Sequence, residues 1–203
     1  VNEATGDKRI SGSFASLAGL EKAVSAADAA GTEAAVQRIL LGHALIASFG
    51  GIPLIYMGDE LAQLNDWSYA DVPAHAHDSR WIHRPQMDWT AATQGEADAT
   101  PAGLVFRGTR HILARRAATA GLHAGNPTEI LSPPGAGLFA FRRAAPEGPI
   151  LCLFNFTEGW QNLPETWARH MGARGFHDAL SDTPVTAHHG VVALPPYARL
   201  WLL

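Results

Sequence analysis

The chain of 203 residues is poor in several residue types, and each shortage excludes a class of protein. It has one cysteine, Cys152, so no internal disulfide is possible, and the apolar run around it predicts a small buried side chain rather than a nucleophile or ligand. No apolar run approaches the roughly 18 residues of a membrane helix. Only two of the 15 basic residues are lysines and the net charge is −4, so we expect neither nucleic acid nor a membrane as partner.

The motifs of several enzyme classes are missing as well. The sequence has no G-x-S-x-G, no glycine-rich phosphate loop and no C-x-x-C, so a serine hydrolase, a nucleotide-binding enzyme and a thiol redox protein are without support. We expect no cofactor. The first residue is Val1 and no basic or apolar leader follows it, which leaves the localisation open between the cytoplasm and secretion.

What the chain does have is apolar bulk, since 47% of its residues are hydrophobic. Residues 33–49 follow a helical period, and Thr32 is in position to cap that helix. The next segment, residues 52–57, is continuously apolar, which is typical of a parallel strand buried on both faces. Such a strand needs a neighbour on each side, and residues 1–30 are too polar to supply one. The first half therefore indicates the closing section of a larger α/β sheet.

Residues 58–100 form a long loop-like stretch rich in aromatic and charged residues, and loops of this length are typically functional or disordered. A helix is predicted over residues 101–121. Its apolar face would consist of Leu104, Ile112, Leu113 and Ala117. Its arginines are expected to face solvent: Arg107, Arg110, Arg115 and Arg116.

After residue 125, short apolar runs alternate with proline and glycine turns. They predict strands at residues 129–131, 138–142, 150–156, 191–193 and 199–203. This pattern favours an antiparallel β-sandwich or a small barrel. We therefore predict two domains, residues 1–124 and residues 125–203.

Two carboxylates, Asp59 and Glu60, follow the predicted buried strand, at the end where parallel barrels place catalytic residues. Adjacent residues on an extended chain point apart, so this is not the closely spaced pair of a retaining glycosidase. A catalytic role and a hydrogen-bonded corner both remain open. His75 and His77, with His83 nearby in the sequence, suggest a metal site, because alternate residues of a strand could place two imidazoles on one side. A third ligand at suitable spacing is lacking, so we expect no metal site.

The densest cluster of functional groups lies in residues 77–89, with two indoles, two guanidinium groups and two carboxylates. This mixture suits a sugar, because aromatic faces cover its C–H side and planar groups bind pairs of hydroxyls. The same residues suit equally well a loop anchored by tryptophan and held by internal Arg–Asp pairs.

Four segments carry a resemblance to a known family. Residues 51–60, which read GIPLIYMGDE, are similar to the segment around the eighth barrel strand of the alpha-amylase superfamily, glycoside hydrolase family 13. Three further segments together resemble its sucrose-acting branch, which contains amylosucrase and sucrose hydrolase. They are TGDKRISG at residues 5–12, LNDWS at residues 64–68 and DSRWIHRP at residues 78–85.

The resemblance implies a fold class of α/β followed by all-β: the last helix–strand–helix section of a (β/α)8 TIM barrel, then a carboxyl-terminal antiparallel β-sandwich. It also implies a retaining enzyme that cleaves sucrose and passes glucose to an alpha-glucan or oligosaccharide, or to water. The aspartate nucleophile and glutamate acid/base would lie upstream of Val1. The chain would then contain no catalytic residue, need the missing amino-terminal barrel section and be inactive alone. A stand-alone carbohydrate-binding or interaction module is the competing hypothesis.

The resemblance further assigns substrate-binding residues. Arg80 matches an arginine that pairs with an acidic residue of an early barrel loop and closes the glucose pocket, and Asp78 belongs to the same motif. Arg9 matches an arginine that contacts oligosaccharide in outer subsites, with Asp7 orienting its turn. The residues expected to shape the site are Asp59, Glu60, Asp66 and Arg84.

Two departures from the family pattern concern the acceptor side of the site. The segment at residues 64–68 is two acidic residues shorter than the common form, and His77 stands where an acid often precedes Asp78. Both departures lie in the loop that borders the acceptor. They leave transfer to glucan and transfer to water open.

Overall fold

The computed structural model describes residue 6, residues 11–94 and residues 99–203, without the side chain of Gln94. The chain divides into two compact units. The first comprises Val1–Ile39 and Ile55–Arg107, and the second comprises Leu40–Leu54 and Gly108–Leu203. Two long helices run through both units. The domain boundary expected after residue 124 stays a prediction.

In the first unit, short helices and 3₁₀ turns occupy much of the stretch that resembled a loop. Its elements are α1 (Phe14–Leu17), α2 (Leu20–Ser25), the 3₁₀ turns Asp59–Leu61, Trp67–Asp71 and Ser79–His83, and α4 (Trp89–Gln94). Two of the 3₁₀ turns start at an aspartate whose carboxylate accepts a backbone N–H two residues later. Asp66 accepts from Ser68, and Asp78 accepts from Arg80. These caps give the stretch local order, since they satisfy donors that a free loop would leave to water.

Helix α3 (Ala29–Phe49) begins four residues earlier than the sequence predicts. The Asp28 carboxylate accepts from the backbone N–H of Gly31 at 2.9 Å, as a capping residue does. Thr32 lies inside the helix and donates its hydroxyl to the backbone carbonyl of Asp28. The prediction of Thr32 as the cap is therefore wrong, because the aspartate upstream supplies the acceptor first.

The apolar run at residues 52–57 belongs to no sheet in the described part of the chain. Ile52 is 89% exposed and Leu54 80% exposed, while Tyr56 and Met57 are about half exposed. The sequence predicts that a strand here would need a neighbour on each side. The described residues supply neither neighbour, and the run is left open to solvent.

Helix α5 (Pro101–Ala118) buries a different face from the predicted one. Leu104, Leu113 and Ala117 are exposed, and only Ile112 of the predicted set is buried. The buried side chains of its inner face are Val105, Thr109 and Ile112. Periodicity in apolar residues alone missed this face because it contains a threonine and Gly108, where a Cβ would come within 2.5 Å of the Leu40 side chain.

Two arginines of α5 also differ from their prediction, because they do not simply face solvent. The Arg115 Nε donates to the backbone carbonyl of Ala179 at 2.6 Å. Arg116 donates to the backbone carbonyls of Ala47 and Gly51. Both guanidinium groups thus tie the helix to neighbouring segments of the second unit.

The carboxyl-terminal half of the second unit is antiparallel β-structure, as predicted. Its strands are β1 (Thr128–Leu131), β2 (Leu138–Arg143), β3 (Ile150–Asn155), β4 (Gln161–Pro164), β5 (His177–Asp178), β6 (Thr183–Pro184), β7 (Val191–Leu194) and β8 (Arg199–Leu202). Six strands form one sheet in the order β1-β2-β3-β8-β5-β6, and β4 pairs with β7 in a second sheet. The short helix α6 (Glu165–His170) follows β4. Each of the five predicted strands is present, whereas β4, β5, β6 and α6 carried no recognised signal.

The core of this region contains apolar side chains from both sheets and from α6, including Leu151, Leu153, Leu163, Val192 and Leu194. The pairing β2-β3-β8 gives the central strand β3 a neighbour on each side, and all six of its residues are buried. Cys152 lies in this strand with no exposed surface, which confirms the prediction of a small buried side chain. Burial raises the pKa of its thiol.

One buried arginine links the sheet to the end of α3. Arg143 has no exposed surface. Its Nη1 donates to the backbone carbonyl of Ser48 at 2.7 Å, and its Nη2 donates to those of His123 and Asn126. The cation therefore satisfies a carbonyl at the carboxyl end of α3, where the helix dipole favours positive charge.

None of the described helices has the length and apolarity to cross a membrane.

Candidate functional site

The first unit contains a cleft of about 570 Å³ between the segment before the Ser79–His83 turn and the segment after it. We call it the loop cleft. Its lining residues are Asn65, Asp66, Ser68, Tyr69, Val72, His75, Trp81, Arg84, Pro85 and Gln86. The volume lies in the range of small-molecule sites, and the lining mixes aromatic rings with polar groups.

Asp66 builds one wall of the loop cleft. Its carboxylate accepts from the backbone N–H and the hydroxyl of Ser68, at 2.9 and 2.5 Å. Its own backbone N–H donates to the carbonyl of Ile82 at 2.8 Å. This last bond ties residues 64–68 to the Ser79–His83 turn, so the two walls of the cleft are held in register.

An aromatic stack forms another part of the cleft lining. The rings of His75 and Trp81 lie parallel, with centroids 3.6 Å apart and 15° between their planes. The guanidinium carbon of Arg84 lies 5.5 Å from the Trp81 ring centroid, within cation–π distance. Arg84 thus packs on Trp81 and lines the cleft at the same time.

Arg80 and Asp78 form a bidentate ion pair beside the cleft. The Arg80 Nε donates to both carboxylate oxygens, at 2.8 and 2.9 Å, and its Nη2 donates to Oδ2 at 2.7 Å. These bonds lower the pKa of Asp78 to about 2. The pair matches the internal Arg–Asp interpretation of this motif.

The other edge of the same guanidinium is open. The Arg80 side chain is 58% exposed. Asp78 uses the edge that carries Nε, and within the described residues Nη1 has no hydrogen-bond partner. The carboxylate therefore orients a planar donor whose end can receive a second planar acceptor.

A second cleft of about 260 Å³ contains Asp59. Burial raises the pKa of Asp59, a hydrogen bond from the backbone of Phe14 lowers it, and the neighbouring charge of Glu60 raises it. Glu60 turns back, and its carboxylate accepts from the backbone N–H of Gly58 at 2.8 Å. Glu60 is thus hydrogen-bonded within this corner of the chain, and the roles of both carboxylates stay predictions.

Two of the histidines considered as metal ligands lie at different places. His75 stacks on Trp81, whereas His83 lines the second cleft. In the described part of the chain no three His, Cys, Asp or Glu residues form a group that could hold a metal ion.

The structure distributes the predicted site residues over three places. Asp66 and Arg84 line the loop cleft, Asp59 lines the second cleft, and Asp78 with Arg80 forms the ion pair. Asp7 and Arg9 lie outside the described residues, and their roles stay predictions.

One residue near the loop cleft was not predicted. Glu21, in the first turn of α2, accepts from Asn65 Nδ2 at 2.7 Å and from Trp67 Nε1 at 2.5 Å. Nothing in the sequence distinguishes it from any acidic residue that complements a helix dipole. Its partners lie more than 40 positions away, beyond the reach of periodicity or motif spacing.

Comparison with known proteins finds a family model that is similar to the carboxyl-terminal part of the chain. Residues 129–203 match the family model described as the amylosucrase C-terminal domain. That range covers the strands β2 to β8 and most of β1.

Over 81 to 85% of its residues, the chain resembles solved structures of several enzymes. A cyclic alpha-maltosyl-(1→6)-maltose hydrolase from Arthrobacter globiformis is 18% identical, with a TM-score of 0.55 over 85% of this chain and 31% of the enzyme. An Anoxybacillus alpha-amylase is 20% identical, with a TM-score of 0.55 over 83% of this chain and 32% of the enzyme. The trehalulose synthase MutB from Pseudomonas mesoacidophila MX-45 is 14% identical, with a TM-score of 0.54 over 81% of this chain and 37% of the enzyme.

The chain spans about a third of the length of these enzymes. At such identities the likeness shows the fold: helices of a barrel section followed by a carboxyl-terminal β domain. The predicted fold class is confirmed. The match of residues 129–203 to the amylosucrase C-terminal domain agrees with the resemblance of the sequence to the alpha-amylase superfamily.

Proposed function

We propose that the chain is the carboxyl-terminal portion of a sucrose-cleaving, retaining alpha-glucosyltransferase similar to amylosucrase. The observation that carries this proposal is the ion pair of Arg80 and Asp78, which holds a guanidinium with an open edge beside the loop cleft. The family match of residues 129–203 supports it. So does the likeness to MutB, one structure of which is described as a complex with the substrate sucrose.

In this proposal Arg80 closes the pocket for the glucosyl unit. An acidic side chain from the upstream barrel section is the second planar acceptor for its open edge. A pocket closed in this way admits only a terminal glucosyl unit, which suits sucrose. The loop cleft lies on the acceptor side, and Asp59, Glu60, Asp66 and Arg84 shape the surroundings rather than transfer protons.

The chemical step belongs to the upstream section. Its aspartate attacks the glucosyl carbon and releases fructose, and its glutamate first donates and then accepts the proton. The same section would supply the strands that flank residues 52–57, whose apolar side chains are exposed here. We therefore expect the 203-residue chain alone to show no sucrose cleavage.

Hydrolysis of sucrose is the second candidate. The observation in its favour is the short segment at residues 64–68, which leaves the loop cleft without two acidic residues of the common form. An acceptor site with fewer polar contacts would hold a glucan less firmly, and water would compete better for the glucosyl unit.

The test uses the complete enzyme, including the upstream section, and measures fructose, glucose and glucan formed from sucrose. Arg80→Lys keeps the charge and loses the planar fork, so we expect sucrose turnover to fall at least about 100-fold. Arg110→Lys, the same change on an exposed arginine of α5, is the matched control and should leave turnover unchanged. Equal turnover in both variants, or a complete protein that binds sugars without cleaving sucrose, would contradict the proposal and favour a carbohydrate-binding module.

A further inference from the structure

Glu21 is the centre of a hydrogen-bond network in the first unit. Both donors on its carboxylate come from one short segment, Asn65 and Trp67, two positions apart. The indole of Trp67 is otherwise largely in solvent, with 62% of the residue exposed. The carboxylate is therefore the contact that fixes this ring among the described residues.

The same segment is tied to α1 from its other side. The Asn65 side-chain oxygen accepts from the backbone N–H of Ser13 at 2.8 Å. The Asn65 backbone N–H donates to the Ser16 hydroxyl at 3.0 Å. Asn65 is thus held at its backbone, its amide oxygen and its amide nitrogen, and among the described residues Glu21 alone accepts from the nitrogen.

The network reaches the loop cleft directly. Asn65, Asp66 and Ser68 line that cleft, on either side of Trp67. Asp66 then donates to the Ile82 carbonyl, in the turn that carries Arg80. A shift of this segment would therefore move one wall of the cleft relative to the wall formed by Trp81 and Arg84.

We propose that Glu21 is a positioning residue that fixes the acceptor wall of the loop cleft and thereby sets the partition of the glucosyl unit between a sugar hydroxyl and water. The proposal rests on the proposed function. In both outcomes the bond between glucosyl C1 and the upstream aspartate breaks, and a new C1–O bond forms to the hydroxyl of a sugar or of water. The proton of that hydroxyl passes to the upstream glutamate. Glu21 touches neither the sugar nor the reacting atoms.

The test compares Glu21→Gln with Glu33→Gln in the complete enzyme. Glutamine has one acceptor oxygen, and its amide nitrogen would face a second donor, so one of the two bonds to Asn65 and Trp67 is lost. Glu33 is exposed on α3 and serves as the matched control for the loss of a charge. The readout is free glucose released per fructose, with a maltooligosaccharide added as acceptor.

We expect Glu21→Gln to raise this ratio about threefold to tenfold, on the scale of one hydrogen bond, and to raise the KM for the acceptor. The kcat for sucrose cleavage should stay within about twofold. Glu33→Gln should leave all three values unchanged. A role in stability alone would lower Tm and total activity without moving the ratio, and that result would overturn the proposal.

A second variant keeps the test independent of the carboxylate. Trp67→Phe removes the indole donor and part of the ring, and Trp89→Phe, the same change at an exposed tryptophan of α4, is its control. The double variant with Glu21→Gln should shift the ratio by less than the sum of the two single shifts, because both changes weaken the hydrogen bonds to the same carboxylate. Additive shifts would overturn the proposal.

The proposed function and the role of Glu21 can be overturned by different results. A complete enzyme that does not cleave sucrose overturns both. An enzyme that cleaves sucrose but transfers nothing to the added oligosaccharide overturns the transferase assignment together with the role of Glu21, and favours the hydrolase. An enzyme that transfers glucose but whose ratio does not respond to Glu21→Gln overturns only the role of Glu21.

Discussion

Two apolar runs of six residues behave in opposite ways in this molecule. Ile150–Asn155, the strand β3, is buried along its whole length, whereas residues 52–57 leave Ile52 and Leu54 almost fully exposed. Composition does not explain the difference, since both runs are rich in isoleucine and leucine. The neighbours do: β3 lies between β2 and β8, and no described strand pairs with residues 52–57.

The two runs differ in whether the described chain covers their apolar side chains. The sheets of the second unit bury their apolar faces against each other and against α6. Residues 52–57 carry the same kind of side chains, and within the described part of the chain Ile52, Leu54, Tyr56 and Met57 stay half exposed or more. Burying one such side chain is worth roughly 1.5 to 3 kcal/mol, so covering several of them would be strongly favourable.

The first test replaces one leucine in each of the two runs, and it should give the largest difference in the free energy of unfolding. In the chain alone, Leu153→Ala in β3 should lower the free energy of unfolding by about 2 to 5 kcal/mol, because it leaves a cavity in a closed core. Leu54→Ala should change it by less than about 0.5 kcal/mol, since the side chain is already in water. Chemical denaturation of the two variants and the parent chain measures both values.

The same two leucine variants should behave differently in the complete enzyme. There both variants should lower Tm, because upstream strands would cover Leu54. Limited proteolysis gives a parallel measurement: the isolated chain should be cut in residues 1–100 while the sheets persist. Equal losses for both leucines in the isolated chain, with uniform protection from protease, would mean that residues 52–57 are covered within this chain.

A smaller effect concerns how the second unit responds to pH. His43 is 1% exposed, and its Nδ1 lies 2.8 Å from the Thr109 hydroxyl. Burial lowers its pKa from 6.5 to about 4. The folded state therefore holds this imidazole neutral, while the unfolded chain takes up a proton below pH 6.5. The free energy of unfolding should be highest above pH 6.5 and fall by about 3 kcal/mol as the pH drops to 4.

The measurement is denaturation between pH 4 and 7 for the parent, His43→Asn and His170→Asn. His43→Asn keeps a side-chain hydrogen-bonding group near Thr109 and cannot be protonated, so it should flatten the curve. His170 is exposed on α6, and its replacement should leave the slope unchanged. A parent curve without this decline would show that His43 is not buried as a neutral group.

The strands of the second unit were predictable from sequence for a physical reason. Apolar runs bounded by proline and glycine turns specify where a strand begins and ends, and β1, β2, β3, β7 and β8 have that pattern. The strands β5 and β6 have two residues each, too few for a period of two to show. The buried face of α5 was missed because Thr109 and Gly108 carry no apolar signal.

The site was predictable only in part. The motifs located Asp66, Asp78, Arg80 and Arg84, whose local bonds lie within a few residues along the chain. Contacts between distant segments, such as Glu21 with Asn65, depend on the fold and leave no local trace. Short-range chemistry is therefore readable in the sequence, and long-range positioning is not.

The smallest effect that we expect is a change in product length when Arg9 is replaced. Arg9, carried over from the family pattern, should contact bound oligosaccharide beyond the glucose pocket. Arg9→Ala in the complete enzyme should then shorten the glucan products and leave sucrose cleavage within about twofold, because an outer contact affects retention of the chain rather than the reacting bond. Chromatography of the products against the parent measures the length distribution, with Lys22→Ala as the control for the loss of a positive charge. If Arg9→Ala abolished cleavage as Arg80→Lys is expected to do, the inner and outer assignments would have to be exchanged.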